Sequence, residues 1–369
     1  MKLPLVKNYT KDLMNTYNKI MKQIRIGETI IGDEYPCFII AELSANHNGS
    51  LDTAIETIRA AKRTGADCIK LQTFTADTIT LESKKSDFKI NQGTLWDGQY
   101  LHDLYKVGYT PWEWHEELMK VAKEEGLICF SSPFDKTAVD FLETLNVPAY
   151  KIASFEITDI PLIEYVASKG KPIIISTGIA EQADIELALD ACKRMGNNQI
   201  ALLKCTSSYP APIEEANMCM VKDLAERYNV ISGLSDHTMG ATVPVVATCF
   251  GAKIIEKHFI LDRSIGGSDA AFSMNEGEFT AMVKAVREAE SAIGIVDYSL
   301  TDKQAKGKDF SRSLYVVEDI KAGEVITEKN VKSIRPGFGL HPKHYNDILG
   351  KIAKDNLEKG TRFSFDLIE

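Results

Sequence analysis

Eight short apolar runs, each a strand's length, recur between residues 38 and 259, with a longer stretch between consecutive runs. They read "FIIAE", "CIKLQTF", "LICFSS", "AYKIAS", "PIIISTG", "ALLKCT", "NVISGLSD" and "KIIEKHF". The segments between them, such as "LDTAIETIRAAKRTG", "IPLIEYVASKG" and "ADIELALDACKRMG", have helical character, and several end in Gly, as a C-cap does. Strands that are apolar on both faces must be covered on both sides, which a parallel sheet wrapped in helices achieves. The count of eight, and the lack of a GxGxxG after the first run, favour an α/β chain closed into a (β/α)8 TIM barrel over a doubly wound open sheet.

At 369 residues the chain is longer than most single cores, so a second, smaller domain is expected. The alternation stops before a polar linker at residues 297–310, and residues 311–369 hold short strands and Gly turns that read as a small β-rich module. The expected plan is an extension over 1–22, a barrel over 23–296, the linker, and the module. Within "YTKDLMNTYNKIMKQI", residues 9–24, Leu13, Met14, Tyr17, Ile20, Met21 and Ile24 fall at helical spacing and predict a helix packed on the main body, with no chemistry assigned.

A net charge of −9, with no Lys/Arg run among aromatics, argues against a nucleic-acid face, so any anion site must be local. The seven cysteines are scattered, odd in number and free of CxxC spacing, the usage of reduced thiols in a cytoplasmic protein. No apolar run approaches the ~20 residues of a membrane helix, and "MKLPLVKNYTKDLM" lacks a signal peptide's apolar segment.

A barrel carries its active site at the carboxyl ends of its strands. Here those ends hold Glu42, Lys70 with Gln72, Ser131 with Ser132, Lys151 with Ser154 and Glu156, Ser176 with Thr177, Lys204 with Thr206, Asp236 with His237, and Glu256 with His258. Lysines and acids converging on one mouth must compensate one another. The seventh and eighth strands are neighbours about 4.8 Å apart, so His237 and His258 can reach one ion. Two His completed by water and substrate oxygens, without a thiolate, suit an octahedral Mn²⁺, Co²⁺ or Mg²⁺ better than structural zinc, with Asp236 and Glu256 as ligands or orienting groups. Lys70 and Lys151, set inside apolar strands, suit a phosphate-bearing substrate, and the hydroxyls of Ser132, Ser154, Thr206 and Ser208 offer oriented donors.

The ordered series "AELSANHNGS", "IKLQTF", "SSPFD", "KIAS", "STG", "CTSSYP", "LSDHT" and "EKHF" resembles the sialic acid synthase family, over residues 25–369. Its tail, "SRSLYVVEDIKAGEVITEKNVKSIRPGFGL" with "ILGKIAKDNLEKG", is similar to the antifreeze-like (SAF) domain that ends those enzymes. The resemblance implies condensation of phosphoenolpyruvate with an amino-sugar aldehyde, metal-dependent, in a domain-swapped homodimer. It also implies that Arg335 of "RPG" touches the sugar bound to the partner's barrel. In this family frame Lys70 and Lys151, with Ser132, Ser154 and the Thr206–Ser208 turn, hold the phosphate and carboxylate, and Glu42 and Glu156 are the candidate acids for the cation and the attacking water. Gln72, Tyr209, Asp269 and Phe272 complete the substrate-binding set.

"GGSDAAFSM", residues 266–274, and Ser208 before Tyr209 depart from the sialic acid branch. Phe272 and Met274 suit a sugar with a methyl where others carry a hydroxymethyl, because an apolar contact accepts the methyl and gives a hydroxyl no partner. Three other readings remain: a sister synthase that makes sialic or legionaminic acid and takes a mannose-type sugar, an aldolase using Lys151 or Lys204 for an imine, and a carbohydrate-binding protein without chemistry.

Overall fold

The computed structural model describes residues 22–369. The eight apolar runs form parallel strands that close into a barrel in the order β10-β3-β4-β5-β6-β7-β8-β9. They are β3 (Phe38–Glu42), β4 (Cys68–Thr73), β5 (Ile128–Pro133), β6 (Tyr150–Ile152), β7 (Ile173–Ser176), β8 (Ile200–Cys205), β9 (Ile231–Asp236) and β10 (Ile254–His258). Closure is carried by β10 beside β3, with His258 opposite Glu42. A helix follows each strand, and local chemistry fixes where several begin. The Ser50 hydroxyl accepts from Thr53 N at the start of Leu51–Arg63. Asp135 caps Lys136–Thr144, and Asp159 caps Ile160–Ala167 ahead of a Pro in the first turn. Four helical stretches end where the sequence expected them, at Gly65, Gly126, Gly170 and Gly196, all at positive φ.

The strands are buried throughout, except at a few terminal or mouth-facing residues such as Gln72, Lys204 and His258. Their apolar side chains join those of the helices in two large clusters, one around Phe130, Tyr150 and Ile174, the other around Ile39, Phe259 and Phe279. At Gly233, inside β9, a Cβ would lie 2.3 Å from the Ile254 carbonyl oxygen and 2.8 Å from Leu203, so only Gly fits there.

Before the barrel, β1 (Gln23–Ile26) and β2 (Thr29–Gly32) form an antiparallel hairpin, with Ile24, Ile26 and Ile31 buried in the first cluster. This corrects the helix expected over residues 9–24 at its far end. Gln23 and Ile24 alternate exposed and buried as a strand does, and the rest of that segment, to residue 21, lies outside the described residues.

The chain divides into two compact units, the second being Ile295–Glu369. That unit pairs β11 (Ser313–Val316) with β12 (Val331–Ile334) and has a core of its own around Leu314, Ile326, Ile348 and Phe363. Among the described residues, no helix is long and apolar enough to cross a membrane.

Candidate active site

The carboxyl ends of the barrel strands open into a cavity of about 810 Å³, within the range of small-molecule sites. Its floor is ionic, because side chains alternate along a strand. Glu42, Lys70, Lys151, Ser235 and Glu256 meet inside the barrel, and all are at least 95% buried. Lys151 Nζ donates to Glu256 Oε1 at 3.1 Å, Ser235 Oγ donates to the same oxygen at 3.1 Å, and Lys70 Nζ lies 3.7 Å from it. Lys70 is also ion-paired with Glu42 and donates to Ser132 Oγ at 3.2 Å.

Two carboxylates thus share two ammoniums in a dry setting, and their protonation diverges. Burial pushes the Glu42 carboxyl up to about 7 against the pull of Lys70. Burial also opposes ionisation of Glu256, but Lys151 and Lys70 on either side hold it below its ordinary value. Burial lowers Lys151, and Glu256 only partly offsets this. Lys70, with two acid neighbours, stays above its ordinary value despite burial.

The two histidines stand over this floor with ring centroids 5.2 Å apart. A carbonyl can only accept, so the 3.0 Å bond between His237 Nδ1 and Thr206 O makes Nδ1 the protonated nitrogen and leaves Nε2 its lone pair. Burial pushes His237 down, but the Cys205 thiol and the Thr206 carbonyl outweigh it. Burial, with repulsion from His237 and the lysines, holds His258 well below its ordinary range. Its buried Nδ1 makes no hydrogen bond and lies 3.8 Å from Asp269 Oδ2. Behind the pair, Lys257 Nζ meets Asp236 Oδ2 at 2.5 Å, on the opposite faces of β10 and β9.

Of the residues expected to form the site, Lys70, Gln72, Lys151, Ser154, Glu156, Ser208, Tyr209, His237, His258, Asp269 and Phe272 line one cavity. Glu42 and Ser132 lie one layer behind it, against Lys70. Thr206 and Lys204 are turned away, with the Thr206 hydroxyl donating to Glu215 O at 3.2 Å and Lys204 Nζ to Cys205 O at 2.6 Å. Arg335 belongs to the second unit. Glu156 has an oxygen, Oε2, that is buried without a hydrogen-bond partner, and burial raises its carboxyl to about 7. Phe272 packs on both His258 and Tyr209, with centroids at 5.0 and 5.1 Å.

Sequence reasoning passed over Ser44 and Trp96, which line the cavity, and reached Ser207, which also lines it, only as part of the Thr206–Ser208 turn. Ser44 has a φ of 48°, in the left-handed region that costs a residue with a side chain. There its N–H donates to Glu42 Oε1 at 3.1 Å, its hydroxyl bonds Asp269, and Gln72 Nε2 donates to it at 3.0 Å. "AELSANHNGS" carried the family resemblance but nothing that marked that conformation. At Gly178 a Cβ would fall 2.0 Å from Ser207 Oγ and 2.6 Å from Ser154 Oγ. Its N–H donates to Ser154 Oγ at 3.2 Å, so the bare backbone fixes that hydroxyl and leaves room for the one of Ser207.

A model of the NeuB family matches residues 57–298 of the chain, and one of the SAF domain matches residues 311–369. The chain belongs to the NeuB family. Among relatives of this NeuB-family chain, the pseudaminic acid synthase of Campylobacter jejuni is 50% identical over 88% of the chain and 94% of its own length. That of Helicobacter pylori is 48% identical over 90% and 98%. A solved N-acetylneuraminic acid (sialic acid) synthetase of Leptospira borgpetersenii superposes with a TM-score of 0.69 at 29% identity, covering 78% of this chain and 95% of that one. The family expected from the motif series and the barrel expected from the eight runs are both borne out.

Proposed function

We propose that this chain is a pseudaminic acid synthase. It condenses phosphoenolpyruvate with the open-chain form of 2,4-diacetamido-2,4,6-trideoxy-altrose and water, giving pseudaminic acid and phosphate. The observation that carries this reading is identity near one half to pseudaminic acid synthases over almost their whole length. The cavity supports it with two buried ammoniums for a phosphate and carboxylate, paired imidazoles above them, and an apolar Phe272 beside those rings.

In the reaction a carbon–carbon bond forms between the methylene carbon of the enolpyruvate and the aldehyde carbon. Water adds at the resulting cationic carbon, and phosphate leaves with carbon–oxygen cleavage. Lys70 and Lys151, with Ser154, Ser207 and Ser208, hold the anionic groups and fix the reacting carbons within bonding reach, so the loss of freedom occurs on binding. Glu156 is the candidate to take the proton of the water, since a carboxyl near 7 exchanges a proton readily at neutral pH. Glu42, ion-paired with Lys70 and raised by burial to about 7, fixes that ammonium in place and is the second candidate acid. Asp269, bonded to Ser44, faces the sugar's hydroxyl and acetamido groups.

The donor set fits a divalent ion. His237 has its Nε2 lone pair available, His258 has a buried nitrogen without a partner, and both are imidazoles of a kind that bind Mn²⁺, Co²⁺ or Mg²⁺ with oxygens completing the shell. No group of three or more protein ligands occurs among the described residues, so His237 and His258 would hold it with water or substrate oxygens. When bound, such an ion supplies Lewis-acid polarisation of the aldehyde. The proposal includes a cytoplasmic homodimer in which Arg335 reaches the sugar in the other protomer's barrel, with a product destined for flagellin or surface glycosylation.

Phosphate release with the altrose sugar and with N-acetylmannosamine, each with Mn²⁺ and after EDTA, tests the reading. Release only with the altrose sugar and metal is expected. Release with N-acetylmannosamine moves the chain to the sialic acid branch. Trapping by borohydride with pyruvate, indifferent to EDTA, would replace the mechanism with an imine at Lys151.

A further inference from the structure

Between β4 and the helix Leu101–Gly108 the chain makes an excursion that the barrel does not need, and its tip is built with unusual care. Ile90 N donates to Gln99 O at 2.9 Å and Gly98 N donates to Ile90 O at 2.9 Å, stapling the base of a loop over residues 90–99. Inside it the Asp97 carboxylate accepts from Gly93 N and Thr94 N, each at 2.9 Å, and from the Thr94 hydroxyl at 3.0 Å. Gly93 and Gly98 supply the positive φ values, 76° and 91°, at which the chain turns. The loop is therefore pre-organised although most of it is exposed.

What this loop carries to the cavity is Trp96. The indole N–H donates to Ser268 O at 3.2 Å, and the ring leans on Tyr209 with centroids 5.5 Å apart. Tyr209 in turn lies 4.4 Å from the His237 ring. Trp96 thus stands two ring steps from His237, in a cavity that is also lined by an apolar wall of Phe74, Ile79, Ile90, Leu104, Tyr105 and Phe134. Phosphoenolpyruvate, small and anionic, has no use for such a wall. A sugar with its aldehyde at the histidines has its far carbons to place along such a wall.

We propose that Trp96, presented by the braced loop 90–99, is the residue that selects the acetamido group at C4 of the sugar, the one further from the aldehyde, the apolar wall receiving its methyl. A flat indole excludes water from an amide and packs on a methyl, and it offers a bare hydroxyl at that carbon no partner. The assignment rests on the synthase reading above and deepens it from the class of reaction to the substituent recognised.

Steady-state phosphate release, with each substrate varied in turn, tests it in the full-length protein. Trp96→Ala is expected to raise the KM of the diacetamido sugar about tenfold and leave the KM of phosphoenolpyruvate unchanged, with Trp96→Phe recovering most of the loss. Wild type is expected to prefer that sugar over its analogue with a hydroxyl in place of the remote acetamido group, and Trp96→Ala to lose the preference. Asp97→Asn, which slackens the loop and keeps the indole, is expected to move the sugar KM in the same direction by less. It also guards against a Trp96 variant that fails to fold. An unchanged sugar KM in these variants, or an equal rise in both KM values, overturns the assignment while the synthase reading stands. Absence of release by wild type with the diacetamido sugar overturns both.

Discussion

At the residue scale the floor of the site is a set of charges that cannot be altered singly. Lys151 is 2% exposed and its ammonium is held by Glu256. Lys151→Met therefore leaves a buried carboxylate short of a partner, and we expect a stability loss of about 3–5 kcal/mol by denaturant unfolding together with loss of phosphate release. Glu156 behaves in the opposite way, since its carboxyl lies above its ordinary value because it is buried. A raised folded-state value favours the fold while the group is protonated, and that advantage is lost as pH rises from about 4.5 to about 7. Glu156→Gln is accordingly expected to match wild type in stability near pH 4 and to exceed it at pH 8, by about 3 kcal/mol. Its turnover should fall at both. A melting difference that does not change with pH would remove this carboxyl from the proton-exchanging set.

At the scale of strands and turns, glycines decide how closely backbones approach. Gly178→Ala forces a methyl onto Ser154 and Ser207, and the expected result is a KM for phosphoenolpyruvate raised at least about tenfold with little change in melting temperature, because the turn lies at the barrel's rim. Gly233→Ala instead drives β9 away from β10, with an expected cost of about 2–3 kcal/mol in stability and weaker metal binding, since His237 directly follows β9 and His258 ends β10. Calorimetric melting and Mn²⁺ titration of activity separate the two outcomes.

At the scale of the whole molecule, the proposed exchange of Arg335 between protomers makes a prediction that neither unit makes alone. Lys151→Met damages the barrel it sits in, whereas Arg335→Ala damages the site to which the second unit is delivered. Mixing the two inactive variants under conditions of subunit exchange should restore activity, because one site of each mixed dimer receives an intact lysine and an intact arginine. No recovery, in a preparation that sedimentation shows to be mixed dimers, would place Arg335 in its own barrel's site or in none.

Much of this architecture was legible in the linear chain, for physical reasons. A strand buried on both faces must be apolar nearly throughout, and a helix must start and stop where its end groups are satisfied, so "FIIAE" and "IPLIEYVASKG" declared themselves. The residues that end barrel strands share one mouth whatever their separation, which brought Lys70, Lys151, His237 and His258 together on paper. Tertiary structure decided the rest. Alternation along β8 sent Lys204 and the Thr206 hydroxyl away from the cavity, and a left-handed turn brought Ser44 to Asp269 across 225 positions. The hairpin Gln23–Gly32 took residues that a helical period also fitted, because the first core cluster could bury Ile24, Ile26 and Ile31. Trp96 sits in a segment without hydrophobic period, and only the fold of the loop and the nearness of Ser268 and Tyr209 give it a partner. Period and end-group chemistry are local and can be read along the chain, whereas the direction of a side chain and its partner across the cavity exist only once the barrel has closed.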